Sequence, residues 1–295
     1  MTDIQQILIT PFSDYMFMRR ALIGCVLLSL GAGPLGVLLI LRRMSLMGEA
    51  MSHAVLPGIA AGFLVGGLSV PIMGLGGLIA GLIVALLVGL VTRSTILRED
   101  ANLAAFYLIA LALGVLMISL HGNSIDLVHL LFGSVLAIDK ESLQLMAGVT
   151  GATLVLFALF YRPILTEAFD PIFMRSIGGF IGGGGPFFHL LFLVLVVINL
   201  IAGFQALGTL MAVGLMMLPA AAARFWAQHF LSLSLTATGI GIVSGASGLL
   251  ISYHLNVPSG PAIILTAGSV YLFSLLFGRL GSVRARYFPA RHFEH

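Results

Sequence analysis

Charged residues are scarce in this chain. Asp, Glu, Lys and Arg make up 8% of its 295 residues, whereas about a quarter of the residues in an ordinary soluble domain are charged. Hydrophobic residues make up 59%, and the mean hydropathy is +1.13. So little charge cannot cover a water-facing surface of this size. The composition therefore excludes a soluble protein and predicts an all-α, polytopic membrane protein.

Cysteine and lysine are almost absent. Cys25 is the single cysteine, so an intrachain disulfide is excluded. Lys140 is the single lysine and lies in A-I-D-K-E-S, with no glycine before it. A P-loop requires G-x-x-x-x-G-K-[ST], so the sequence contains no such site for ATP. The arginines are spread between apolar segments rather than interleaved with aromatic residues, which argues against nucleic-acid binding.

Long apolar runs, in contrast, are abundant. A helix needs roughly 20 residues to cross a bilayer. We predict nine transmembrane helices near residues 17–41, 49–66, 71–92, 103–120, 143–160, 186–204, 206–224, 231–252 and 260–279. Pro34, Pro57 and Pro219 fall within these segments and should kink or break their helices. The connections are short, so we expect residues 1–295 to form a single transmembrane domain.

The distribution of positive charge predicts the orientation in the plasma membrane. The positive-inside rule places eleven arginines in the cytoplasm: Arg42, Arg43, Arg93, Arg98, Arg162, Arg175, Arg224, Arg279, Arg284, Arg286 and Arg291. Arg19, Arg20 and Lys140 then lie outside. Nine spans put the N-terminus outside and the C-terminus in the cytoplasm. Arg19 and Arg20, directly before the first span, would normally hold an N-terminus inside; in that case one span is miscounted.

Glu49 and His53 are the most informative ionisable residues. They lie in the run L-R-R-M-S-L-M-G-E-A-M-S-H-A-V-L-P-G, from Leu41 to Gly58. A spacing of four residues places both on one face of a helix. Ionisable side chains at membrane depth are costly and usually functional, and a divalent cation is the natural partner for this pair. The alternative is a hydrogen-bonded pair that holds two helices together.

Four other polar residues are candidates for the same path. Asp126 and His129 follow the fourth span and could gather cations, or could be a helix cap and a surface histidine. Gln205, between the sixth and seventh spans, could line a channel or bind a buried carbonyl. His254 could be a ligand or an interfacial residue.

One motif favours an enzyme. Residues Gly245–Gly248 read G-A-S-G, which resembles the G-x-S-G nucleophile signature of rhomboid intramembrane serine proteases, and His254 follows Ser247 by seven residues. On a continuous helix that spacing corresponds to about 10 Å along the axis, beyond hydrogen-bond reach. We therefore interpret Ser247 as a packing residue beside the Gly241–Gly245 G-x-x-x-G pair. An intramembrane serine protease remains the alternative.

The longest predicted cytoplasmic connection runs from Tyr161 to Gly179. It mixes charges with Phe169, Ile172, Phe173 and Met174 in a short helical pattern. Such an amphipathic segment either lies on the bilayer surface or docks into a groove of a partner protein.

The run around Glu49 and His53 is one of several blocks that resemble the permeases of the manganese, zinc and iron ABC importer family. The others follow in order: D-L-V-H-L-L-F-G-S-V-L from Asp126, E-A-F-D-P from Glu167, G-F-Q-A-L-G-T-L-M from Gly203, L-P-A-A-A-A-R from Leu218 and V-P-S-G-P-A-I from Val257. Together they cover nearly the whole chain. One departure is Asn256, where the family commonly has aspartate.

This resemblance implies a homodimeric permease of the large importer type. It would take manganese or zinc, or iron, from a solute-binding protein and work with two separate ATP-binding subunits, without an ATPase site or a permanently bound cofactor of its own. The expected path or gate residues are Glu49, His53, Asp126, His129, Gln205, His254 and Asn256. The expected coupling segment spans residues 162–180, with contacts from Glu167, Phe169, Asp170, Pro171, Phe173 and Arg175.

A third hypothesis is a proton-coupled secondary carrier. The sequence shows few buried acids and no convincing inverted repeat, which disfavours it. Dependence on ATP and an added nucleotide-binding subunit would distinguish the three hypotheses.

Overall fold

The structure, a computed structural model, describes residues 10–67, 69–94, 99–120, 138–176 and 185–287. All regular secondary structure in these ranges is helical, which confirms the predicted class. The helices are α1 Thr10–Asp14, α2 Met16–Leu41, α3 Met47–Ala54, α4 Leu56–Gly66, α5 Val70–Ser94, α6 Glu99–Leu120, α7 Lys140–Leu159, α8 Tyr161–Phe169, α9 Pro171–Ser176, α10 Gly185–Leu207, α11 Thr209–Ala223, α12 Phe230–Leu255, α13 Ser259–Phe277 and α14 Val283–Tyr287.

Seven segments of the described chain are long and apolar enough to cross a membrane: Met16–Leu41, Met47–Gly66, Pro71–Val91, Lys140–Leu159, Phe187–Leu207, Phe230–Leu255 and Ser259–Phe277. Two shorter apolar helices, Ala101–Met117 and Thr209–Ala223, coincide with the other two predicted spans. Every predicted segment is thus helical, but nine membrane crossings are not confirmed. The apolar runs located the helices, whereas their ends depend on local turns.

The second predicted span is two helices. α3 ends at Ala54, and α4 begins at Leu56 with Pro57 in its first turn. Proline has no N–H to donate and is tolerated in a first turn, so the new helix starts there. The break predicted at Pro57 is confirmed. Pro34 and Pro219, by contrast, lie inside the continuous helices α2 and α11.

Contacts between helix termini fall at two ends of the bundle. At one end, which we call the Tyr15 end, the Tyr15 ring lies 5.7 Å from that of Tyr253. At the other, the Trp226 end, the Trp226 indole N–H donates to Ser274 Oγ over 2.8 Å. The start of α2 meets the end of α12, and the end of α11 meets the end of α13. Helix α2 is therefore antiparallel to α12, and α11 is parallel to α13.

Glycines allow the central helices to approach closely. A Cβ at Gly241 would lie 2.6 Å from Ser29 Oγ, and one at Gly245 would lie 2.7 Å from Cys25 Cβ, both on α2. A Cβ at Gly248 would meet the Ile263 backbone of α13. The predicted packing role of the G-x-x-x-G pair is confirmed. The pair lets α12 pack closely against α2, and Gly248 lets it pack closely against α13.

The helices form two packed groups that share α10. Helices α2, α11, α12 and α13 pack against one another, while α3, α4, α5 and α6 form the second group. Helix α10 contacts α2 and α11 in the first group and α3 and α5 in the second, as well as α7. Helix α10 therefore contacts both groups, which also meet directly where α11 packs against α3.

Candidate functional site

Glu49 and His53 are the only residues of α3 that are not buried. Glu49 is exposed and His53 is half-buried, whereas Met47, Gly48, Ala50, Met51, Ser52 and Ala54 are buried. The carboxylate and the imidazole thus share the open face of a short helix, one turn apart. This is the placement that their spacing indicated.

His53 has a ring nitrogen available for binding. Its Nδ1 atom is buried and has no hydrogen-bond partner among the residues that the structure describes. The ring lies 6.0 Å from that of Tyr107 on α6, at an interplanar angle of 31°. A neutral imidazole nitrogen is a good ligand for divalent transition metals. The sequence marks Tyr107 only by a phenol hydroxyl in an apolar span, so its position beside His53 could not be predicted.

Close packing fixes α3 and the break that follows it. A Cβ at Gly48 would lie 3.1 Å from Met217 Cε on α11, so α3 and α11 approach each other closely here. A Cβ at Gly114 of α6 would lie 3.0 Å from the Pro57 nitrogen. Helix α3, which carries both Glu49 and His53, and the start of α4 are therefore packed from two sides.

Among the described residues, the other predicted path residues lie away from this face. Gln205 is half-buried near the end of α10, where it contacts the Gly74 position of α5. His254 is exposed near the end of α12. These positions lie toward the Tyr15 end, whereas α3 follows the turn at the opposite end of α2. Asp126 and His129 lie outside the described residues. Within the described chain, no three His, Cys, Asp or Glu side chains cluster for a metal.

The backbone conformation at position 256 explains why an asparagine is found there. It caps α12 in the left-handed conformation, with φ 53° and ψ 39°. Asparagine tolerates this conformation better than most residues with a side chain. Its exposed side chain remains free to face the solvent at the Tyr15 end. The geometry thus explains an Asn or Asp here without requiring a ligand.

The serine of the G-x-S-G motif is not arranged as a nucleophile. Ser247 Oγ donates to Val243 O at 2.7 Å and also contacts Ser244 O at 3.3 Å, both on its own helix. A serine nucleophile would instead donate to a general base. The described contacts give Ser247 a local helical role, and the protease hypothesis finds no support.

The expected coupling segment folds as two short helices. α8 is anchored by Ile164, 1% exposed, and packs against α10 and the end of α7. Asp170 Oδ1 accepts a hydrogen bond from the Phe173 N–H over 2.8 Å and so caps α9. Phe169, Ile172 and Phe173 are 61%, 76% and 53% exposed. We call these three side chains the apolar knob.

The predicted coupling residues differ in burial on the single chain. Glu167 is only 5% exposed on the single chain and is buried with Ile164 on α8. Pro171 begins α9 and Arg175 lies in its last turn. Residues 177–180 of the predicted segment lie outside the described chain.

Comparison with known proteins agrees with this architecture. The model of the ABC 3 transport family matches residues 14–278. The manganese import system permease protein ScaB of Streptococcus parasanguinis is 34% identical over 271 residues, covering 90% of this chain and 94% of that protein. The manganese transport system membrane protein MntC of Halalkalibacterium halodurans is 31% identical over 279 residues, covering 94% and 93%.

A solved structure is similar over almost the entire chain. It is that of PsaBC from Streptococcus pneumoniae in complex with Fab, with a TM-score of 0.81 and 31% identity. The match covers 95% of this chain and 98% of that chain. This chain and that protein are therefore similar in both sequence and fold.

Proposed function

Because the chain belongs to the ABC 3 transport family, and is thus a permease subunit of a bacterial metal ABC importer in the plasma membrane, we propose that its cargo is manganese. The observation that carries transport of a divalent cation is the open face of α3, where Glu49 and His53 are the only residues of that helix that are not buried. The manganese permeases among its relatives support the choice of metal.

The chemistry of this face suits a cation that must be released. One carboxylate and one imidazole form an incomplete site, which binds a divalent ion less tightly than a closed tetrahedral cluster. Carboxylate and imidazole ligands accept manganese, zinc and iron(II) alike. The buried Cys25 adds no soft ligand to this face, since it packs against Gly245.

A second copy of the chain completes the path in this proposal. The Glu49 carboxylate is exposed on a single chain, and a charge facing lipid would be costly. Burying it at a homodimer interface, around a water-filled path, removes that cost. Asp126, His129, Gln205, His254 and Asn256 would contribute nearer the outer face. All nine predicted segments would cross the membrane, with the Trp226 end in the cytoplasm.

The apolar knob would couple ATP hydrolysis to transport by binding an ATPase subunit. ABC importers use separate ATPase subunits, and the sequence of this chain contains no P-loop of its own. Phe169, Ile172 and Phe173 project from a capped, anchored pair of helices. Such a cluster of exposed apolar side chains, on two adjacent short helices, suits a groove on a partner, here one of two ATPase subunits. Metal would arrive from a solute-binding protein at the Tyr15 end.

The test is ATP hydrolysis by the complete importer reconstituted in lipid. The solute-binding protein is supplied without metal or loaded with manganese, zinc or iron(II). We expect the manganese-loaded protein to stimulate hydrolysis most. Stimulation by zinc alone would reject manganese as the cargo, and equal hydrolysis with and without every metal would reject the proposed function.

A further inference from the structure

The end of α2 determines where α3 begins. The Met44 N–H donates to Leu39 O over 2.8 Å, and the Arg43 N–H donates to Ile40 O over 3.1 Å. Arg43 adopts the left-handed conformation, with φ 61°. This is a Schellman turn, in which Met44 packs back onto the helix. Only two residues then separate Met44 from the start of α3, so a shift of the turn must move α3.

Arg42 attaches this turn to α10. Its guanidinium Nη2 lies 3.0 Å from His189 Nδ1, and its Cζ lies 5.4 Å from the centre of the Phe192 ring. Arginine can only donate, so the His189 Nδ1 atom accepts this hydrogen bond. A planar guanidinium that both donates and stacks is held in one orientation, which lysine could not reproduce.

The same part of α10 contacts the coupling region. Phe188, next to His189 in the sequence, lies 5.8 Å from Phe160 between the rings, where α7 ends and α8 begins. α8 and α9 both pack against α10. Neighbouring residues of α10 therefore face two ways, Phe188 toward the base of the coupling segment and His189 toward the turn before α3.

We propose that Arg42 and His189 are a positioning pair that transmits movement of the coupling segment, through the first turns of α10, to Glu49 and His53 on α3. This inference rests on the proposed function. The pair contacts no cargo. The contact makes the turn between α2 and α3 move together with α10. Docking of the ATPase subunit would then change the orientation of the open face of α3. Without the pair, ATP hydrolysis should continue with less metal moved per ATP.

The experiment measures manganese uptake and ATP hydrolysis by the complete importer in proteoliposomes. Arg42→Gln and His189→Leu should each lower the manganese taken up per ATP by about fivefold or more, while retaining the ATPase subunit. The double variant should fall no further than the lower single variant, since each single variant already removes the contact between Arg42 and His189. His189→Asn places an acceptor oxygen near the Nδ1 position and should stay within about twofold of wild type.

Arg43→Gln is the matched control. It removes the same charge one residue away, from an exposed side chain, and should leave the ratio of manganese to ATP unchanged. If Arg42→Gln does not assemble, Arg42→Lys takes its place, because it keeps the charge but loses the planar fork.

Two results would overturn the role of the pair in a transporting complex. One is an unchanged ratio in both single variants. The other is a parallel loss of hydrolysis, uptake and folded protein that His189→Asn fails to rescue, as expected of a purely structural contact. A wild-type complex without ATP-dependent uptake would instead reject the proposed function, and the role of the pair with it.

Discussion

Residues that look alike in the sequence have different surroundings in the fold. Ser247 and Gly248 are neighbours in one small-residue motif. The Ser247 hydroxyl binds its own helix, whereas Gly248 contacts the backbone of α13. The first position can lose its hydroxyl at little cost. The second has no room for a side chain.

Ser247→Ala should therefore transport manganese at close to the wild-type rate, and Gly248→Leu should fail. The reason for the failure is steric, because a Cβ at Gly248 would collide with Ile263. Uptake and the yield of folded protein are the measurements. Complete loss of activity in Ser247→Ala, with covalent labelling of the wild-type serine by a phosphonate, would restore the protease hypothesis.

Asp139 offers a prediction about pH. It caps α7 by accepting from the Ser142 N–H over 2.8 Å. Hydrogen bonds from Ser142, with a smaller contribution from the Arg20 charge, lower the pKa of this carboxyl below its usual value. The stabilisation is thus present above the ordinary pKa of aspartate and is lost as the pH falls through the lowered value.

Asp139→Ala should lower the free energy of unfolding by about 1 kcal/mol, and Asp139→Asn should retain most of it. The difference between wild type and Asp139→Ala should shrink in acid. Thermal unfolding in detergent at several pH values checks both statements. A constant difference down to strongly acidic pH would contradict this role of the carboxylate.

Some residues of the site follow from the sequence and others do not. Glu49 and His53 could be found because a spacing of four residues defines a helical face and because charge is rare in this chain. The contact of Arg42 with His189 joins residues 147 positions apart. Helical periodicity carries no information about which helices become neighbours. Tyr107 was missed for the same reason.

At the scale of helices, the coupling segment makes the clearest prediction. Replacing Phe169 and Phe173 together by Asp should abolish recruitment of the ATPase subunit, because the apolar knob would become charged. Both side chains are more than half exposed, so folding and membrane insertion should be retained. Co-purification with the ATPase subunit measures the effect.

The matched control replaces the same two residues by Leu, which keeps apolar surface and should keep recruitment. Normal recruitment and transport in the Asp variant would show that the segment does not dock. Loss of insertion would show instead that α8 and α9 support the fold.

The approach of α4 to α5 makes a second prediction. A Cβ at Gly58 would collide with the Gly76 carbonyl, whereas one at Gly89 would meet nothing within 4 Å. Gly58→Ala should cost about 1–3 kcal/mol of unfolding free energy. Gly89→Ala should cost nothing, or stabilise its helix slightly. Thermal unfolding of both variants tests this prediction. Equal stability would show that α4 and α5 can move apart without cost.

Helices are more predictable here than their ends. Each apolar run became a helix, because a bilayer leaves few other ways to satisfy the backbone. The break at Pro57 followed from the chemistry of proline. The length of α11, only 15 residues, did not follow from its sequence. Its preceding residue, Gly208, takes φ 93° and sets a turn that an apolar pattern does not show.

At the scale of the whole molecule, α10 connects the two functional regions, which are the coupling segment and the open face of α3. The coupling segment packs on α10, and α10 packs on α3, which carries Glu49 and His53. The central claim is that these two residues line the route of a divalent metal through a permease driven by separate ATPase subunits. The claim predicts a defect in transport without a defect in assembly.

The most direct test is uptake of radioactive manganese by proteoliposomes containing the complete importer, with ATP and the loaded solute-binding protein. Glu49→Gln and His53→Ala should each reduce uptake by about tenfold or more, because each removes a ligand from an incomplete site. Glu141→Gln, which removes an exposed carboxylate near the start of α7, should transport normally, and all three variants should assemble. Wild-type uptake in both α3 variants would contradict the account.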